Sequence, residues 1–365
     1  MIFQLDESLV RFARAGKGNV EVLISVLELL AMAVREGNHL VFAEMKLASE
    51  ILLIVGRNSG SASSLLLRLI NQYPKVAGLA YGIKLRVLVG DFDKAATKTV
   101  EGVRVIEYPL GLVNSGLLQK SLVLVENLTD ADFYKWVANV VLMETEFRGV
   151  SLALEGYPGG GNTTAEAYDN LKENTSRLCL CIVDSDIRAP LLGPGDTAKK
   201  VLKSDRDRPV VRAGSHVIGA CSIENLIPFF FFEEAWRYDP NYSSKLSLYK
   251  VHYREGHWKY LQLKKNISCF ELRGASAFSV YWAGALVSVD VGCLLDAPSC
   301  EQKAACKEYK LPLLSGSPLG ATLPLIKAQS LQSQVLLPDI RLAWENIAEE
   351  LLGWCCATTS HTAGI

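Results

Sequence analysis

Five acidic side chains stand at or just past the ends of apolar runs. Glu126 closes the run Leu122–Val125, and Asp130 follows four residues later. Asp184 and Asp186 come directly after a second run, Leu178–Val183 (LCLCIV), and Glu224 comes two residues after Ser222 in GACSIENLIP. Carboxylates gathered at one place repel one another, and a bound cation removes that cost. Hard oxygen ligands with room left for water suit Mg²⁺ or Mn²⁺. Residues so far apart in the chain can share an ion only if the fold brings strand ends to one edge.

The pattern from Ser121 onward predicts such a fold. A strand over Leu122–Val125 leads into a helix from about Ala131 to Met143, with Phe133, Trp136, Val137 and Val140 on one face. Thr129 and Asp132 have the spacing of an N-cap and its N3 carboxylate. A strand over Val150–Leu154 follows, then Gly159, Gly160 and Gly161, then a helix opened by Thr163 with Glu166 in a capping box. Leu178–Val183 is continuously apolar, as expected of a strand covered on both faces. The order β-α-β-α-β predicts a parallel, doubly wound α/β sheet. Ligands bind such sheets at the carboxyl ends of the strands, so Glu126 and Asp184 are expected to meet there. Val217–Cys221 offers a fourth strand ahead of Glu224. Residues 188 to 215, rich in Gly, Pro and charge, read as an insertion carrying the basic residues Lys199, Lys200, Lys203, Arg206, Arg208 and Arg212.

Three regions result. Residues 1–117 read as mainly helical with two strands, Leu85–Val89 and Val103–Tyr108, and a linker from Pro109 to Gly116. Residues 118–230 read as the α/β domain that carries the acidic residues. Residues 231–365 read as an α-rich region, irregular over 294–335 and closed by a helix from about Asp339 to Trp354. The 365 residues carry a net charge of −1, so nucleic acid contact must come from local patches. The start of the chain does not read as a signal peptide, and the apolar segment Val20–Val34 contains Glu21 and Glu28 and is too short for a bilayer. Nine cysteines, an odd number, fit a reducing cytoplasm better than a disulfide framework.

The acidic motifs, taken in order, resemble the topoisomerase–primase (TOPRIM) domain, and more closely the branch found in OLD-family nucleases and related phage-defence effectors. The first motif falls on Glu126 and Asp130, the second on Asp184 and Asp186, and a Ser-x-Glu-Asn-like motif on Ser222, Glu224 and Asn225. Asn127 stands where Gly is usual, and Asn tolerates left-handed backbone better than most residues. The resemblance covers about residues 118 to 230. It implies a TOPRIM-like parallel sheet and a Mg²⁺- or Mn²⁺-dependent nuclease acting on DNA or RNA, tRNA included. It further implies an effector in anti-phage defence, cytoplasmic and controlled by a partner such as an ATPase sensor in trans. Glu126, Asp184, Asp186 and Glu224 would be the catalytic metal ligands, with Asp130 and Ser222 as auxiliary ligands. The branch also uses a downstream lysine, for which Lys259, Lys264 and Lys265 are equally eligible. The nearest stretch to a phosphate-binding loop, GRNSGSASS from Gly56, lacks the required lysine, so an ATPase would be a separate protein. A homo-oligomer is compatible with this reading. The alternative is a non-catalytic TOPRIM-fold binding or assembly subunit of a larger complex.

Plainer roles compete at each position. Glu126 can be a helix-capping acid and Asp184 and Asp186 turn residues. The triple glycine can cradle a phosphate or merely turn the chain. Asp91 and Asp93 read as a solvated turn. Lys199, Lys200, Lys203, Arg206 and Arg208 either contact backbone phosphates or form a solvated surface among Asp196, Asp205 and Asp207. Cys179 and Cys181 read as buried strand residues, and Phe229–Phe232 as core. Cys293, Cys300 and Cys306 lack the paired spacing of zinc sites. His216 reads as structural, and His252 and His257 carry no recognisable motif.

Overall fold

The structure, a computed structural model, describes residues 1–56, 60–268, 271–287, 309–329, 331–333 and 336–358. The α/β expectation holds, with mixed sheets. Contacts divide the chain into two compact units. One comprises Met1–Ile182, Val201–His216 and Glu345–Ile365, and the other Val183–Lys200 and Val217–Trp344. The expected boundaries after residues 117 and 230 therefore do not mark compact bodies. Spatial proximity assigns residues 118–230 to both units, and the last helix returns to the first from Glu345.

The first unit opens with β1 (Ile2–Leu5), α1 (Ser8–Arg14), α2 (Lys17–Arg35), β2 (Leu40–Phe42), α3 (Met45–Val55), α4 (Ser61–Gly82), β3 (Leu85–Gly90), β4 (Ala96–Val100) and β5 (Val103–Pro109). The two expected strands are β3 and β5. Three more were hidden, so the N-terminal region, helical in most of its ordered residues, also carries a sheet ordered β2-β1-β3-β5-β4. β1 and β2 are too short to show a period, and β4 is a largely exposed, polar edge strand, antiparallel to β5. The Glu101–Gly102 turn between β4 and β5 places both residues at positive φ, +51° and +80°, as tight hairpins need.

The second sheet, ordered β10-β9-β6-β8, is built from β6 (Ser121–Val125), α5 (Leu128–Leu142), β7 (Ser151–Leu152), β8 (Leu154–Pro158), α6 (Thr164–Asn174), β9 (Cys179–Val183), α7 (Asp196–Asp207) and β10 (Ala213–Val217). β6 lies parallel to both β8 and β9, with Leu122 opposite Glu155 and Cys179. β6 and β9 are buried at every position, which is why their apolar runs are unbroken.

Four local expectations shift. The strand expected over Val150–Leu154 splits, because its first part pairs antiparallel with β13 (Cys356–Ala357) and the sheet strand begins at Leu154. That strand is mostly exposed, so it lacks an apolar signature. The fourth strand lies at Ala213–Val217, not Val217–Cys221, and its half-buried AGSHV has none either. The expected insertion at 188–215 holds α7 and most of β10. At α6, Thr163 does not cap with Glu166; its hydroxyl donates to Gly159 O at 2.6 Å.

Buried polar contacts tie α6 to α7. Lys172, only 5% exposed, donates to Ser204 O at 3.0 Å and pairs with Asp205 at 3.1 Å, and Tyr168 OH donates to Asp205 at 2.7 Å. The second unit contains α8 (Phe229–Ala235), α9 (Pro240–Arg254), β11 (Ile267–Ser268), α10 (Ala277–Val287), β12 (Tyr309–Leu311) and α11 (Pro318–Ala328). Phe229, Phe231 and Phe232 are core, whereas Phe230 is exposed. The expected irregular stretch 294–335 holds β12 and α11 in its described part. Cys293, Cys300 and Cys306 lie outside the described residues.

The closing helix α12 (Pro338–Cys355) matches its expected span, and from Glu345 onward it belongs to the first unit. There Ser121 Oγ donates to Trp354 O at 2.5 Å, and the Met1 amine to Cys356 O at 2.5 Å. Among the described residues no helix is long and apolar enough to cross a membrane.

Candidate metal centre

Within the first unit, Glu126 directly follows β6 and is half-buried. Its backbone is held by the glycine turn: Gly159 N–H donates to Val125 O at 2.7 Å and Gly160 N–H to Glu126 O at 3.1 Å. A Cβ on Gly159 would lie 2.5 Å from Thr164 Oγ1, and Gly160 has φ +75°, so glycine is required at both places. Two of the turn's amides are thus spent on the end of β6, which favours the turn reading over a phosphate cradle. The cap of α5 also differs from expectation. Asn127 is the N-cap, and Asp130, not Asp132, is the N3 acid, its Oδ2 accepting from Asn127 N–H at 2.9 Å. Asp130 is 6% exposed. Its geometry is that of a capping carboxylate at a helix N-terminus.

Within the second unit, the Asp184–Asp186 segment is stitched to the Cys221–Glu224 segment. Asp184 Oδ1 accepts from Ile223 N–H at 3.0 Å, Asp186 N–H donates to Cys221 O at 2.8 Å, and Ser185 Oγ donates to Ala220 O at 2.6 Å. Asp186 is exposed and adopts φ +53°, a conformation Asp tolerates better than most residues. Gly195 supports it from below: a Cβ there would lie 2.5 Å from Asp186 Cβ and Oδ2. Burial, and next the charges of Asp186 and Asp184, push the Cys221 thiol up to about 12, so it stays protonated between these acids.

Glu224 is 4% exposed. Its Oε1 pairs with Lys264 Nζ at 2.9 Å, while its Oε2 is buried with no hydrogen-bond partner. Ser222 caps the short 3-10 turn Ile223–Leu226, and its hydroxyl donates to Asn225 Oδ1 at 2.9 Å. Asn225 in turn donates to Trp258 O at 2.5 Å and Leu261 O at 2.8 Å, and Cys221 N–H donates to Lys259 O at 2.7 Å. These bonds hold the 258–261 stretch against the Ser222–Asn225 turn, and Lys264 follows three residues on. Two of the three eligible lysines are thereby told apart. Lys264 reaches an acid of the motif, whereas Lys259 lies over the Tyr260 ring at 5.3 Å.

The donor set of hard carboxylate oxygens, with an unmatched buried Oε2, fits a divalent cation. Asp184, Asp186 and Glu224 do not, however, bring three ligand oxygens within 4.8 Å of one another, whereas His252, Glu255 and His257 do converge that closely among the described residues. Mg²⁺ keeps several waters and needs only one or two direct carboxylates, so the wider spacing is compatible with it. Of the basic cluster, Lys199 pairs with Asp196 at 3.9 Å, Arg206 with Asp207 at 3.0 Å, and Arg208 with Asp169 and with Glu173 at 2.9 Å. Lys200 and Lys203 are exposed. Arg212 donates to Thr175 O at 2.7 Å and to Lys172 O, so it is structural. The Lys264–Glu224 pair and the histidine cluster escaped sequence reasoning. The His-x-x-Glu-x-His spacing at 252–257 was the available signal for the second.

The chain matches no protein-family model, no curated protein and no solved structure.

Proposed function

We propose that this chain is a Mg²⁺- or Mn²⁺-dependent nuclease of TOPRIM type, hydrolysing phosphodiester bonds of DNA or RNA as a partner-controlled effector in anti-phage defence. The observation that carries this reading is Glu224: a buried carboxylate with one oxygen on Lys264 and the other unmatched, on a turn hydrogen-bonded to the Asp184–Asp186 segment. Asp184, Asp186 and Glu224 would hold the ion, and the resemblance implies Glu126 as a further catalytic acid. A bound Mg²⁺ would supply an activated water and charge stabilisation at the leaving oxygen. Lys264 is suited to offset negative charge developing on the phosphate. Ser222, with its hydroxyl spent on Asn225, and Asp130, at its cap, serve as positioning residues. The substrate is nucleic acid, and an ATPase sensor in trans is the partner that the resemblance suggests.

Cleavage of DNA, RNA and tRNA with Mg²⁺ or Mn²⁺ tests this, comparing wild type with Glu126→Gln and with Asp184→Asn/Asp186→Asn. Metal-dependent cleavage should vanish in both variants while the melting temperature moves by less than about 2–4 °C, the shift expected from ~1 kcal/mol in a domain of this size. Undiminished cleavage by Glu126→Gln would end the nuclease assignment.

One set of observations favours the second reading, a non-catalytic binding or assembly subunit. Asp130, Asp184 and Glu224 each have a structural partner, and three of the five basic residues are matched by acids. Absence of cleavage under all metals, with partner binding intact, would select it.

A further inference from the structure

We propose that His252, Glu255 and His257 form a transition-metal site of the zinc type, separate from the carboxylate cluster and independent of the nuclease reading, that fastens the end of α9 to the turn leading to Lys264. His252 lies in the last turn of α9, Glu255 caps that helix, and Gly256 at φ +81° reverses the chain so that His257 returns beside them. Ligand atoms of all three residues fall within 4.8 Å of one another. His257 Nε2 lies 3.6 Å from Glu255 Oε2. That is too long for a hydrogen bond, but close to the edge of a tetrahedron, about 3.3 Å, when bonds to zinc are about 2.0–2.1 Å.

The independent observation is His252. It is 0% exposed, and neither ring nitrogen has a hydrogen-bond partner. A buried imidazole usually has both nitrogens matched, and a metal ion would satisfy one of them. His257 Nδ1 meets Tyr281 OH at 2.5 Å. That contact leaves Nε2 facing Glu255, as outer partners of metal-bound histidines do. Trp282 closes the aromatic side, its ring 5.9 Å from that of His252 and 6.1 Å from that of His257. Two imidazoles and one carboxylate select Zn²⁺ over Mg²⁺ or Ca²⁺, and the exposed Glu255 leaves the fourth position to water. The 3-10 turn His257–Tyr260 is the stretch that Cys221 N–H and Asn225 grip, so the ion would brace the path to Lys264.

The test uses full-length protein stripped with chelator, then titrated with Zn²⁺, Mg²⁺ and Co²⁺, with elemental analysis and visible absorption. Wild type should take up one Zn²⁺ per chain and give a tetrahedral Co²⁺ spectrum. Glu255→Gln and His257→Gln, at partly exposed positions, should fold and lose both signals. Tyr281→Phe should weaken Zn²⁺ by about 10–100-fold. Asp184→Asn/Asp186→Asn should keep Zn²⁺ at wild-type affinity. If wild type binds no Zn²⁺, if Glu255→Gln and His257→Gln retain it, or if the Asp184/Asp186 variant loses it, the site is refuted.

Discussion

Lys264 Nζ stands 2.9 Å from Oε1 of Glu224, the most deeply buried carboxylate of the acidic motifs. The lysine is 45% exposed and the glutamate's side chain 5%, so the pair is asymmetric: the acid needs the base more than the base needs the acid. Removing Lys264 leaves a buried charge without its counter-ion, which costs more than the pair's net worth.

Lys264→Met should therefore destabilise the protein by about 1–3 kcal/mol, the usual cost of stranding a buried polar group. Glu224→Gln added to it should recover most of that loss. Urea unfolding of both single variants and the double variant measures the coupling. Strictly additive losses would mean the contact carries no energy.

Gly195→Ala places a methyl group 2.5 Å from Asp186 Cβ and Oδ2. The left-handed Asp186 must move, at about 1–3 kcal/mol for overpacking. Mn²⁺ titration should show weaker binding in this variant. Unchanged affinity would remove Asp186 from the ion's ligands while leaving the other acids untouched.

Alkaline stability should be limited by buried thiols in the first unit. Burial, and next Asp205, raise Cys179 to about 12, and burial raises Cys355 to about 12 as well, from an ordinary value of 9.0. The unfolded chain therefore releases these protons first. Stability is fully present below pH 9 and falls as pH climbs towards 12, by about 1.4 kcal/mol per pH unit for each thiol. Urea melts from pH 8 upward should show this slope, and Cys179→Ala should reduce it.

The cations of α7 and of Arg208 just beyond it fall into two groups. With Lys199, Arg206 and Arg208 already facing acids, Lys200 and Lys203 are the residues best placed to meet phosphates. Lys200→Gln/Lys203→Gln should flatten the salt dependence of nucleic acid binding by about 0.7–0.9 per contact. Replacing all five basic residues should add little more. A much larger effect of the five-fold variant would show that the acid pairs open on binding.

The amino-acid order was sufficient where a signal is continuous and local. The runs before Glu126 and Asp184 are buried on both faces, so every residue is apolar and β6 and β9 could be read directly. The acids that follow them were equally legible, as was α12, whose apolar period spans 18 residues. Other elements depended on long-range contacts. β8 is a strand because β6 pairs with it, not because its exposed residues favour one. Asp130 rather than Asp132 caps α5 because the helix starts earlier than its apolar face. Three lysines were equivalent on paper, and only the folded path of residues 258–261, held by Asn225 and Cys221, shows Lys264 paired with Glu224. His252 and His257 looked unremarkable until the left-handed Gly256 folded one ring back onto the other. Burial on both faces writes itself into every residue of a strand; a partner arriving from a distant segment leaves no trace in the residues it meets.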